Sequence, residues 1–336
     1  MTFPITVVVP AYGDAAPVAA LVAELDQQAP PETKVRVIVS DDASPTPLEP
    51  VLRTLRLDRI ALDVVRSERN SGPGGARNRA LEHVQTDWVA FLDADEVPGS
   101  GWLERLLEIA HSGSLDAVEG RIESGSSAGP FTHTTEVRAG GAYLGGNVAF
   151  RTAALRAVGG FDERFYDARR KLHFREDADL FFRLEASGTR IGFDPCLHAL
   201  HPPLPASYTA TLRLARRYYF DALLSRKHPQ RFHGFVRARR MGPVPLRRAR
   251  HDAYVMYAAG TAAAAAGVML QTKRLAVAGG AVASVGWLAS AAALAWGRRV
   301  GKRDVVPLAG AAAVTPWVYL LHYYRGVVTF RHRPRL

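Results

Sequence analysis

The sequence predicts an α/β protein with a doubly wound, mostly parallel sheet, followed by a separate helical region that associates with a membrane. Two observations predict this arrangement. Short apolar runs alternate with segments of helical period over residues 5–193, which is the order typical of βαβ units. After Arg250 the composition changes to long uncharged stretches rich in alanine. With 336 residues and 48% hydrophobic content, the chain is long enough to bury a core.

The predicted strands are runs of β-branched or apolar residues without a helical period. They cover residues 5–9, 35–39, 60–65, 88–92, 116–122, 148–150 and 191–193. The predicted helices between them carry apolar residues on one face, as Val18, Leu21, Val22 and Leu25 do in the first. They cover residues 15–28, 48–57, 74–84, 99–110, 152–158 and 176–186.

The net charge of +11 is unevenly distributed along the chain. Residues 1–212 carry 21 basic and 29 acidic side chains, whereas residues 213–250 carry 12 basic side chains and only Asp221 as an acid. This pattern argues against a uniformly basic nucleic-acid binder and favours a catalytic domain followed by a membrane-facing collar. We therefore expect a domain at 1–212, a basic amphipathic connector at 213–250, and membrane helices at 251–336, with no nucleic-acid partner.

The single cysteine and the N-terminal residues indicate a reducing compartment. Cys196 has no partner for an intrachain disulfide. The chain enters a predicted strand almost at once, without the basic and apolar regions of a cleavable signal peptide. The expectation is a catalytic domain that faces the cytoplasm.

Carboxylates follow several of the predicted strands, where ligands bind in sheets of this kind. Asp41 and Asp42 follow the second strand, and Asp93 and Asp95 follow the fourth. Side chains at i and i+2 of an extended chain point the same way, so Asp93 and Asp95 can converge on one Mg²⁺ or Mn²⁺ ion. Such an ion neutralises a departing diphosphate. The alternative is a solvated Asp-x-Asp turn.

Five blocks of residues, in this order, carry a resemblance to a known family. They are Val7–Tyr12, Asp41–Ser44, Asn70–Asn78, Phe91–Glu96 and Arg175–Leu180. Together they resemble family 2 glycosyltransferases of the GT-A fold, in the nucleotide-diphospho-sugar transferase superfamily and of the bacterial membrane-associated type. The resemblance covers about residues 5–220 and implies transfer of a sugar, with inversion, from a nucleoside diphosphate sugar to a hydroxyl.

The resemblance also implies roles for individual residues. Asp177, with Glu176 beside it, is the expected general base. Asp93 and Asp95 are the expected metal ligands, completed by His201 in preference to His198. The alternative for Glu176 and Asp177 is stabilisation of a helix N-terminus.

The expected donor site includes residues from four of the blocks. It comprises Pro10, Ala11, Tyr12, Asp41, Asp42, Asn70, Gly75, Arg77, Asp93 and Ala94. Asp42, with Asp41 second, would bind the base, and the glycine-rich block with Arg77 would contact phosphate. The alternatives are an Asx turn or helix cap at Asp41–Asp42, and glycines that serve only close packing. Ala43 stands where the family usually has glycine.

The acceptor side is expected near Gly146 and Asn147. The chain has no Gln-x-x-Arg-Trp string, which the processive synthases of this superfamily carry, so the resemblance favours transfer of a single sugar. The intact Glu176–Asp177 pair argues against the main alternative, a non-catalytic nucleotide-sugar-binding scaffold. A nicotinamide oxidoreductase is discounted because no Gly-x-Gly-x-x-Gly follows the first strand.

The C-terminal region contains three uncharged segments. Residues 253–272 and 275–297 are each long enough to cross a bilayer, and the positive-inside rule requires two crossings between the basic clusters that flank them. Residues 305–321 contain Pro307 and Pro316 and are expected to lie in the membrane plane or to re-enter it. A lipid-linked or cell-envelope glycan acceptor follows from this placement. The alternative is a soluble alanine-rich pair of helices packed on the enzyme.

Overall fold

The computed structural model describes residues 4–125, 129–132, 134–203, 205–238, 240–241 and 244–331. The chain divides into two compact units. The first comprises residues 1–125 and 134–203, and the second comprises residues 126–133 and 204–336. The first unit therefore ends at Pro203, nine residues before the predicted boundary at 212.

The first unit is built on an eight-stranded sheet. Its strands are β1 (Ile5–Ala11), β2 (Val35–Asp41), β3 (Ile60–Arg66), β4 (Trp88–Phe91), β5 (Val97–Pro98), β6 (Ala117–Glu123), β7 (Val148–Arg151) and β10 (Ile191–Leu200), with β8 (Tyr166–Asp167) and β9 (Leu172–His173) forming a separate hairpin. The strand order is β3-β2-β1-β4-β7-β6-β10-β5. Strand β7 runs antiparallel to both β4 and β6, and β5 runs antiparallel to β10, so the sheet is mixed.

Helices cover the sheet on both faces. They are α1 (Ala15–Gln28), α2 (Glu49–Leu52), α3 (Gly72–Glu82), α4 (Trp102–Ser112), α5 (Thr152–Ala157) and α6 (Glu176–Ala186). One core cluster packs α1 and α4 against the sheet around Leu25, Trp88 and Leu106, and a second packs α3 and α6 around Phe91, Phe150 and Phe181. Burial of these side chains on two faces explains the continuous apolar runs of β1, β2 and β4.

Two elements differ from the sequence prediction. Residues 48–57 form only one helical turn, α2, in which Pro50 stands at the start. The predicted strand at 191–193 continues to Leu200, with an irregularity between Asp194 and His198. The Asp194 carboxylate accepts hydrogen bonds from the backbone N–H of Cys196 (2.8 Å) and Leu197 (3.3 Å), which holds the bulge. The strand therefore resumes pairing and delivers His201 to the sheet rim.

The second unit is helical. Its helices are α7 (Ala210–Arg216), α8 (Asp221–Lys227), α9 (Pro229–Ala238), α10 (Leu246–Met269), α11 (Lys273–Ala295) and α12 (Val305–Phe330), with a short hairpin of β11 (Arg240–Met241) and β12 (Val244–Pro245). Helices α10 and α11 form an antiparallel pair whose backbones touch at four glycines. A Cβ on Gly260, Gly267, Gly279 or Gly286 would lie 2.2–2.4 Å from a backbone nitrogen of the facing helix. Close approach of this kind is typical of helices that pack in lipid.

Two described helices are long and apolar enough to cross a membrane, by length and composition. They are Lys273–Ala295 and Lys302–Phe330; helix α10, which contains most of the first predicted span at 253–272, is not among them. The second includes the segment predicted as re-entrant, which instead forms part of one continuous helix that contains Pro316. Pro307 lies in the first turn of α12, where a missing N–H breaks no intrahelical hydrogen bond.

A short segment, Gly129–Thr132, packs among the helices of the second unit. Phe131 is buried against Leu294, Ala311 and Ala312. The Arg298 guanidinium donates to the carbonyl oxygens of Gly129 (3.1 Å), Pro130 (3.2 Å) and Thr132 (2.6 Å). The chain leaves the first unit before this segment and re-enters the first unit after it.

Candidate functional site

Strand β4 ends in a tight acidic turn, Asp93–Glu96. The backbone N–H of Glu96 donates to the Asp93 carbonyl (3.0 Å), and the backbone N–H of Asp93 donates to a Glu96 carboxylate oxygen (2.9 Å). Glu96 is buried, and burial, followed by the charges of Asp93 and Asp95, raises its pKa well above the usual range. The turn therefore leaves Asp93 and Asp95, whose side chains are 37% and 48% exposed, as its accessible carboxylates.

His201 lies beside this turn. Its Nε2 is 3.7 Å from a carboxylate oxygen of Asp95, and its Nδ1 is 3.0 Å from the Pro202 carbonyl oxygen. A hydrogen bond from Nδ1–H to that carbonyl leaves the Nε2 lone pair directed toward Asp95. His198 lies elsewhere, against Gly99, with its Nδ1 3.4 Å from the Cys196 carbonyl oxygen. His201, and not His198, therefore lies beside the acidic turn.

The donor set at this turn suits a hard or borderline divalent ion. Two partly exposed carboxylates and one imidazole with a fixed tautomer are ligands that Mg²⁺ or Mn²⁺ accepts. Across the part of the chain that the structure describes, no three His, Cys, Asp or Glu side chains are gathered closely enough to hold an ion alone. Such an ion would therefore need further oxygens, which a diphosphate can supply.

Arg77 connects the acidic turn to the helix that carries the predicted base. Its Nη2 is 2.6 Å from Asp93 Oδ1, and its guanidinium lies 5.3 Å from the centre of the Phe161 ring. The side chain is only 4% exposed. Its charge opposes the rise in the pKa of Glu96 and contributes, after His173, to the lowered pKa of Glu176. Arg77 is therefore paired within the chain through Nη2 and Asp93, and its predicted contact with the donor phosphate stays a prediction.

Gly145 and Gly146 let the loop before β7 approach this cluster. A Cβ at Gly145 would lie 2.7 Å from Arg77 Nη1, and one at Gly146 would lie 2.8 Å from Asp93 Oδ2. Any side chain at either position would displace the charged groups. Gly146 thus adjoins Asp93 and Glu96, and its expected place on the acceptor side stays a prediction.

Glu176 and Asp177 begin helix α6, next to Arg175, which has a φ of 79°. Asp177 Oδ1 accepts a hydrogen bond from the Ala178 N–H (2.7 Å). Desolvation, and then the charge of Glu176, raise the pKa of Asp177 to about 7. For Glu176, burial opposes ionisation, but the hydrogen bond and charge of His173 outweigh it, so the Glu176 pKa is lowered. Two adjacent carboxyls with opposed shifts mark functional sites.

Asp42 caps the N-terminus of α3. Its carboxylate accepts from the Ser71 N–H (3.0 Å), the Ser71 hydroxyl (2.8 Å) and the Gly72 N–H (2.8 Å), and it lies 3.4 Å from Arg79. The anion at this helix N-terminus is therefore Asp42 itself, which displaces the phosphate contact predicted for the glycine-rich loop. Asn70 supports the same junction, because its Nδ2 donates to the Asp42 carbonyl (3.1 Å).

Asp41 holds the turn after β2 rather than facing open space. Its carboxylate accepts from the N–H groups of Ser44 (2.8 Å) and Leu48 (3.3 Å) and pairs with Arg66. Burial opposes the ionised form, but these hydrogen bonds outweigh it and lower the Asp41 pKa. Ala43 in this turn has a φ of 62°, so it adopts the left-handed conformation that glycine takes without strain.

The remaining predicted donor residues divide into exposed and structural ones. Tyr12 is 54% exposed at the end of β1, whereas Pro10 and Ala11 are buried within that strand. Ala94 packs against the core. Gly75 is buried in α3, where a Cβ would lie 2.5 Å from the Ser71 hydroxyl. Only Tyr12 offers a large side chain to a ligand.

The expectation that Asn147 faces the acceptor is wrong. The residue is completely buried, and its Oδ1 accepts from the Trp102 indole N–H (2.7 Å). Its Nδ2 donates to the carbonyls of Arg121 (2.9 Å) and Leu197 (3.0 Å). The amide therefore locks β6, β10 and α4 together, and these long-range partners leave no local sequence signal.

Sequence analysis missed the β8–β9 hairpin. Tyr166, on β8, donates a hydrogen bond to Asn70 Oδ1, and His173, on β9, lies 3.4 Å from Glu176. The strands contain only two residues each, too few to produce a periodic pattern. The sequence offers one signal for this hairpin: a stretch able to form a turn lies between the aromatic side chains of Tyr166 and His173.

Comparison with known proteins agrees with this geometry. The family model described as glycosyl transferase family 2 matches residues 6–178. The pre-mycofactocin glycosyltransferase of Mycobacterium tuberculosis is 30% identical over 253 residues, which cover 68% of this chain and 48% of that protein. The chain thus spans about half the length of that relative.

Two solved structures share the fold. The mannosyltransferase PcManGT of Pyrobaculum calidifontis, solved with GDP-Man and Mn²⁺, has a TM-score of 0.50 and 19% identity, over 97% of this chain and 86% of that one. TarS 1–349 of S. aureus, solved with UDP-GlcNAc, has a TM-score of 0.51 and 17% identity, over 98% and 92% of the respective chains. The matched family model, the mixed sheet and the strand-end carboxylates lead to one conclusion: the chain belongs to glycosyl transferase family 2 and has the GT-A fold.

Proposed function

We propose that this enzyme transfers one sugar from a nucleoside diphosphate sugar to a hydroxyl acceptor, with inversion, and that Asp177 is the general base. The observation that carries the proposal is the position of Asp177. It is a partly exposed carboxyl with a pKa of about 7, and Arg77 links its surroundings to the Asp93–Glu96 turn. A base with a pKa near neutrality is suited to accept a hydroxyl proton.

The reaction is a single displacement. The acceptor oxygen forms a bond to the anomeric carbon while the bond from that carbon to the diphosphate oxygen breaks. The proton of the acceptor hydroxyl passes to Asp177, and attack opposite the leaving group inverts the configuration. Since Asp177 must be ionised to accept the proton, we expect the rate to fall as the pH drops below about 7.

Asp93, Asp95 and His201 are the residues that would hold Mg²⁺ or Mn²⁺ together with the donor diphosphate. When bound, the ion supplies positive charge to the departing diphosphate. Support comes from the tautomer of His201, fixed by the Pro202 carbonyl, and from the exposure of both aspartates. The solved relative with GDP-Man and Mn²⁺ adds a precedent for that fold.

We place the nucleoside of the donor at the ends of β1 and β2. Tyr12 offers an exposed ring there, and the Gly13 N–H donates to the Ser44 hydroxyl (3.0 Å), which ties the two strand ends together. Asp41 and Asp42 border this region through the turn and the helix cap that they hold.

We further propose that the second unit binds a membrane and that the acceptor is a lipid-linked or cell-envelope glycan. The α10–α11 pair would cross the bilayer as a hairpin, because the four glycine contacts keep α10 beside α11 along its length. Helix α12 would lie near the surface with the basic connector. Its Thr315 is within 3.3 Å of Thr211 in α7, and its Tyr319 ring packs on Tyr218.

A ligand screen tests the donor and metal roles. The purified full-length protein would be melted with a panel of nucleoside diphosphates and their sugars, with and without Mn²⁺. A ligand at 100 times its Kd stabilises the native state by about 2.7 kcal/mol, so we expect a clear rise in Tm for one base only in the presence of metal. Transfer to a lipid-linked acceptor would then be measured with excess chelator. Full activity in chelator would overturn the metal role, and no response to any nucleotide would overturn the donor class.

A reporter fused after Leu336, which lies outside the described residues, tests the topology. If α10 and α11 cross the membrane and α12 does not, the reporter stays in the cytoplasm. Activity of a reporter that works only outside the cytoplasm would contradict this arrangement.

A further inference from the structure

Glu176 is a buried carboxylate next to the proposed base. Its place beside Asp177 does not by itself explain why it is buried. Its side chain is 9% exposed, and its Oε2 has no hydrogen-bond partner among the described residues. An unpaired buried carboxylate oxygen is costly, so the ionised form needs compensation from nearby charge. The compensation must come from the groups that surround it.

His173 is the group that contacts Glu176 from the side of the solvent. Its Nδ1 is 3.4 Å from Glu176 Oε1, and its side chain is 42% exposed at the end of β9. The imidazole therefore joins a buried acid to water. The hairpin holds the ring in place, because His173 pairs with Tyr166 across the two strands and Tyr166 is anchored on Asn70.

We propose that His173 is a positioning residue for sugar transfer: through its 3.4 Å contact it holds the buried Glu176 carboxylate beside Asp177 and so tunes Asp177 as the base. The proposal rests on the role of Asp177 given above. His173 itself touches neither donor nor acceptor in this scheme. It acts only through Glu176.

The charged groups around the pair come from three elements. His173 faces Glu176 from β9, Arg77 acts from α3, and Arg175 acts from the start of α6. Gly74 in α3 faces the aliphatic part of the Glu176 side chain. A Cβ at Gly74 would lie 3.6 Å from Glu176 Cβ and Cγ, so this contact is apolar. Of these three groups, only His173 contacts the Glu176 carboxylate from the partly exposed side, with its Nδ1 3.4 Å from Oε1.

The direction of the effect follows from these contacts. Loss of His173 removes the hydrogen bond and the charge that outweigh burial, so the pKa of Glu176 rises. A protonated Glu176 no longer repels the negative form of Asp177, so the pKa of Asp177 falls below about 7. The enzyme would then retain activity at lower pH, with a weaker base and a lower maximal rate.

The test is the pH dependence of kcat/KM for the full-length enzyme and four variants: His173→Ala, His173→Gln, Glu176→Gln and His173→Ala/Glu176→Gln. We expect the acidic limb to move to lower pH by at least about 0.5 unit in His173→Ala and in Glu176→Gln. His173→Gln keeps a donor without a charge and should fall between. In the double variant the limb should match Glu176→Gln alone, because the histidine acts only through the glutamate.

Arg169→Ala is the matched control. Arg169 is an exposed cation on the same hairpin, so its removal changes the local charge without touching Glu176. The acidic limb should stay where the wild type has it. An equal shift in Arg169→Ala, or a further shift in the double variant beyond that of Glu176→Gln, would overturn the proposal.

A second measurement separates this proposal from the proposed function. Each protein is melted between pH 4 and pH 9 beside its Asp177→Asn counterpart, and the difference in Tm is plotted against pH. The difference in Tm grows with pH as long as Asp177 is protonated in the native state and ionised in the unfolded chain. It levels off near the pKa that Asp177 has in the native state. We expect levelling near pH 7 in the wild type and at lower pH in His173→Ala. Levelling at the same pH in both would refute the role of His173 even if no transfer were detected.

Discussion

The two units of this protein pack closely by different means, through charged pairs in the first unit and through glycines in the second. In the first unit, charged groups are paired at the rim of the sheet: buried Asp42 contacts Ser71, Gly72 and Arg79, and buried Arg77 pairs with the partly exposed Asp93. In the α10–α11 pair of the second unit, four glycines bring two backbones into contact without any charged group.

The difference fits the surroundings that we propose for each unit, water for the first and lipid for the α10–α11 pair. A water-soluble sheet can gather charge at its rim because loops and helix N-termini supply hydrogen bonds to each carboxylate. Helices that lie in lipid gain nothing from apolar side chains against one another, so they associate through shape. The rim of the sheet is therefore held together by charge, and the α10–α11 pair by the absence of side chains at its glycines.

The largest effect is expected at Asp177, where charge serves chemistry. Asp177→Asn should lower kcat by about 10²–10⁴-fold, because the amide cannot accept the acceptor proton. Donor affinity should change little, as measured by the shift in Tm with nucleotide sugar. Asp58→Asn, at an exposed aspartate, is the matched control and should leave kcat unchanged.

The same substitution should stabilise the fold above neutral pH. Because the pKa of Asp177 is raised to about 7, its ionisation is disfavoured in the native state, and stability is lost as the pH rises from about 4 to about 7. The amide does not ionise, so Asp177→Asn should melt at higher temperature at pH 8, by about 2–4 °C for each 1 kcal/mol of relieved penalty. A lower Tm at pH 8, or near-normal turnover, would remove Asp177 from the mechanism.

The second effect is expected at Asp42, where charge serves architecture. Asp42→Ala removes the acceptor of two backbone N–H groups and one hydroxyl at a buried helix start, so the free energy of unfolding should fall by about 2–3 kcal/mol. Asp14→Ala removes a comparable cap at the exposed start of α1, where one bond of 3.1 Å is lost. We expect a loss of at most about 1 kcal/mol there.

Chemical denaturation of the two aspartate variants measures the contrast. Equal losses of stability in Asp42→Ala and Asp14→Ala would show that burial of the Asp42 cap does not matter. If Asp42→Ala kept its stability but lost nucleotide binding, the result would indicate that Asp42 contacts the donor directly.

The smallest effect, and the sharpest contrast, is expected at adjacent glycines of α11. Gly279→Ala places a Cβ 2.3 Å from the Ala264 nitrogen, and such overpacking should destabilise the helix pair by about 1–3 kcal/mol. At Gly280 nothing lies within 4 Å, so Gly280→Ala should be neutral or stabilise by up to about 1 kcal/mol through helix propensity. Thermal melting in detergent measures both, and nucleotide binding should not change. Equal behaviour of the two variants would exclude backbone contact at Gly279.

Much of the fold follows from local patterns in the sequence. Strands β1 and β2 and helices α1 and α6 are evident from apolar runs, helical period and clustered acids, and each lies where it was predicted. The cluster of acids at Asp93–Glu96 also follows from residues at a strand end, although the predicted extended Asp93–Asp95 is a turn in the structure. These features are short-range, so the residue types at fixed spacing determine them. The preference for His201 over His198 came from the family resemblance.

The remainder depends on contacts between residues far apart in sequence. Asn147 was expected to face the acceptor, but its amide accepts a hydrogen bond from Trp102 and donates one to the Leu197 carbonyl. Asp42 and Arg77 were predicted to bind a ligand, yet each has a partner within the chain. Prediction by motif identifies which residues gather at the rim of the sheet, but it does not show which of them are already satisfied by the protein.

The short excursion Gly129–Thr132 limits how this enzyme can be divided. Phe131 fills a gap between α11 and α12, and the three carbonyls around it depend on the guanidinium of Arg298. A shortened protein that stops at Pro203 would keep this segment but lose everything that covers it, which leaves a bare aromatic ring on a loop. Removal of residues 204–336 to obtain a soluble enzyme would therefore also require replacing Phe131 with a polar residue.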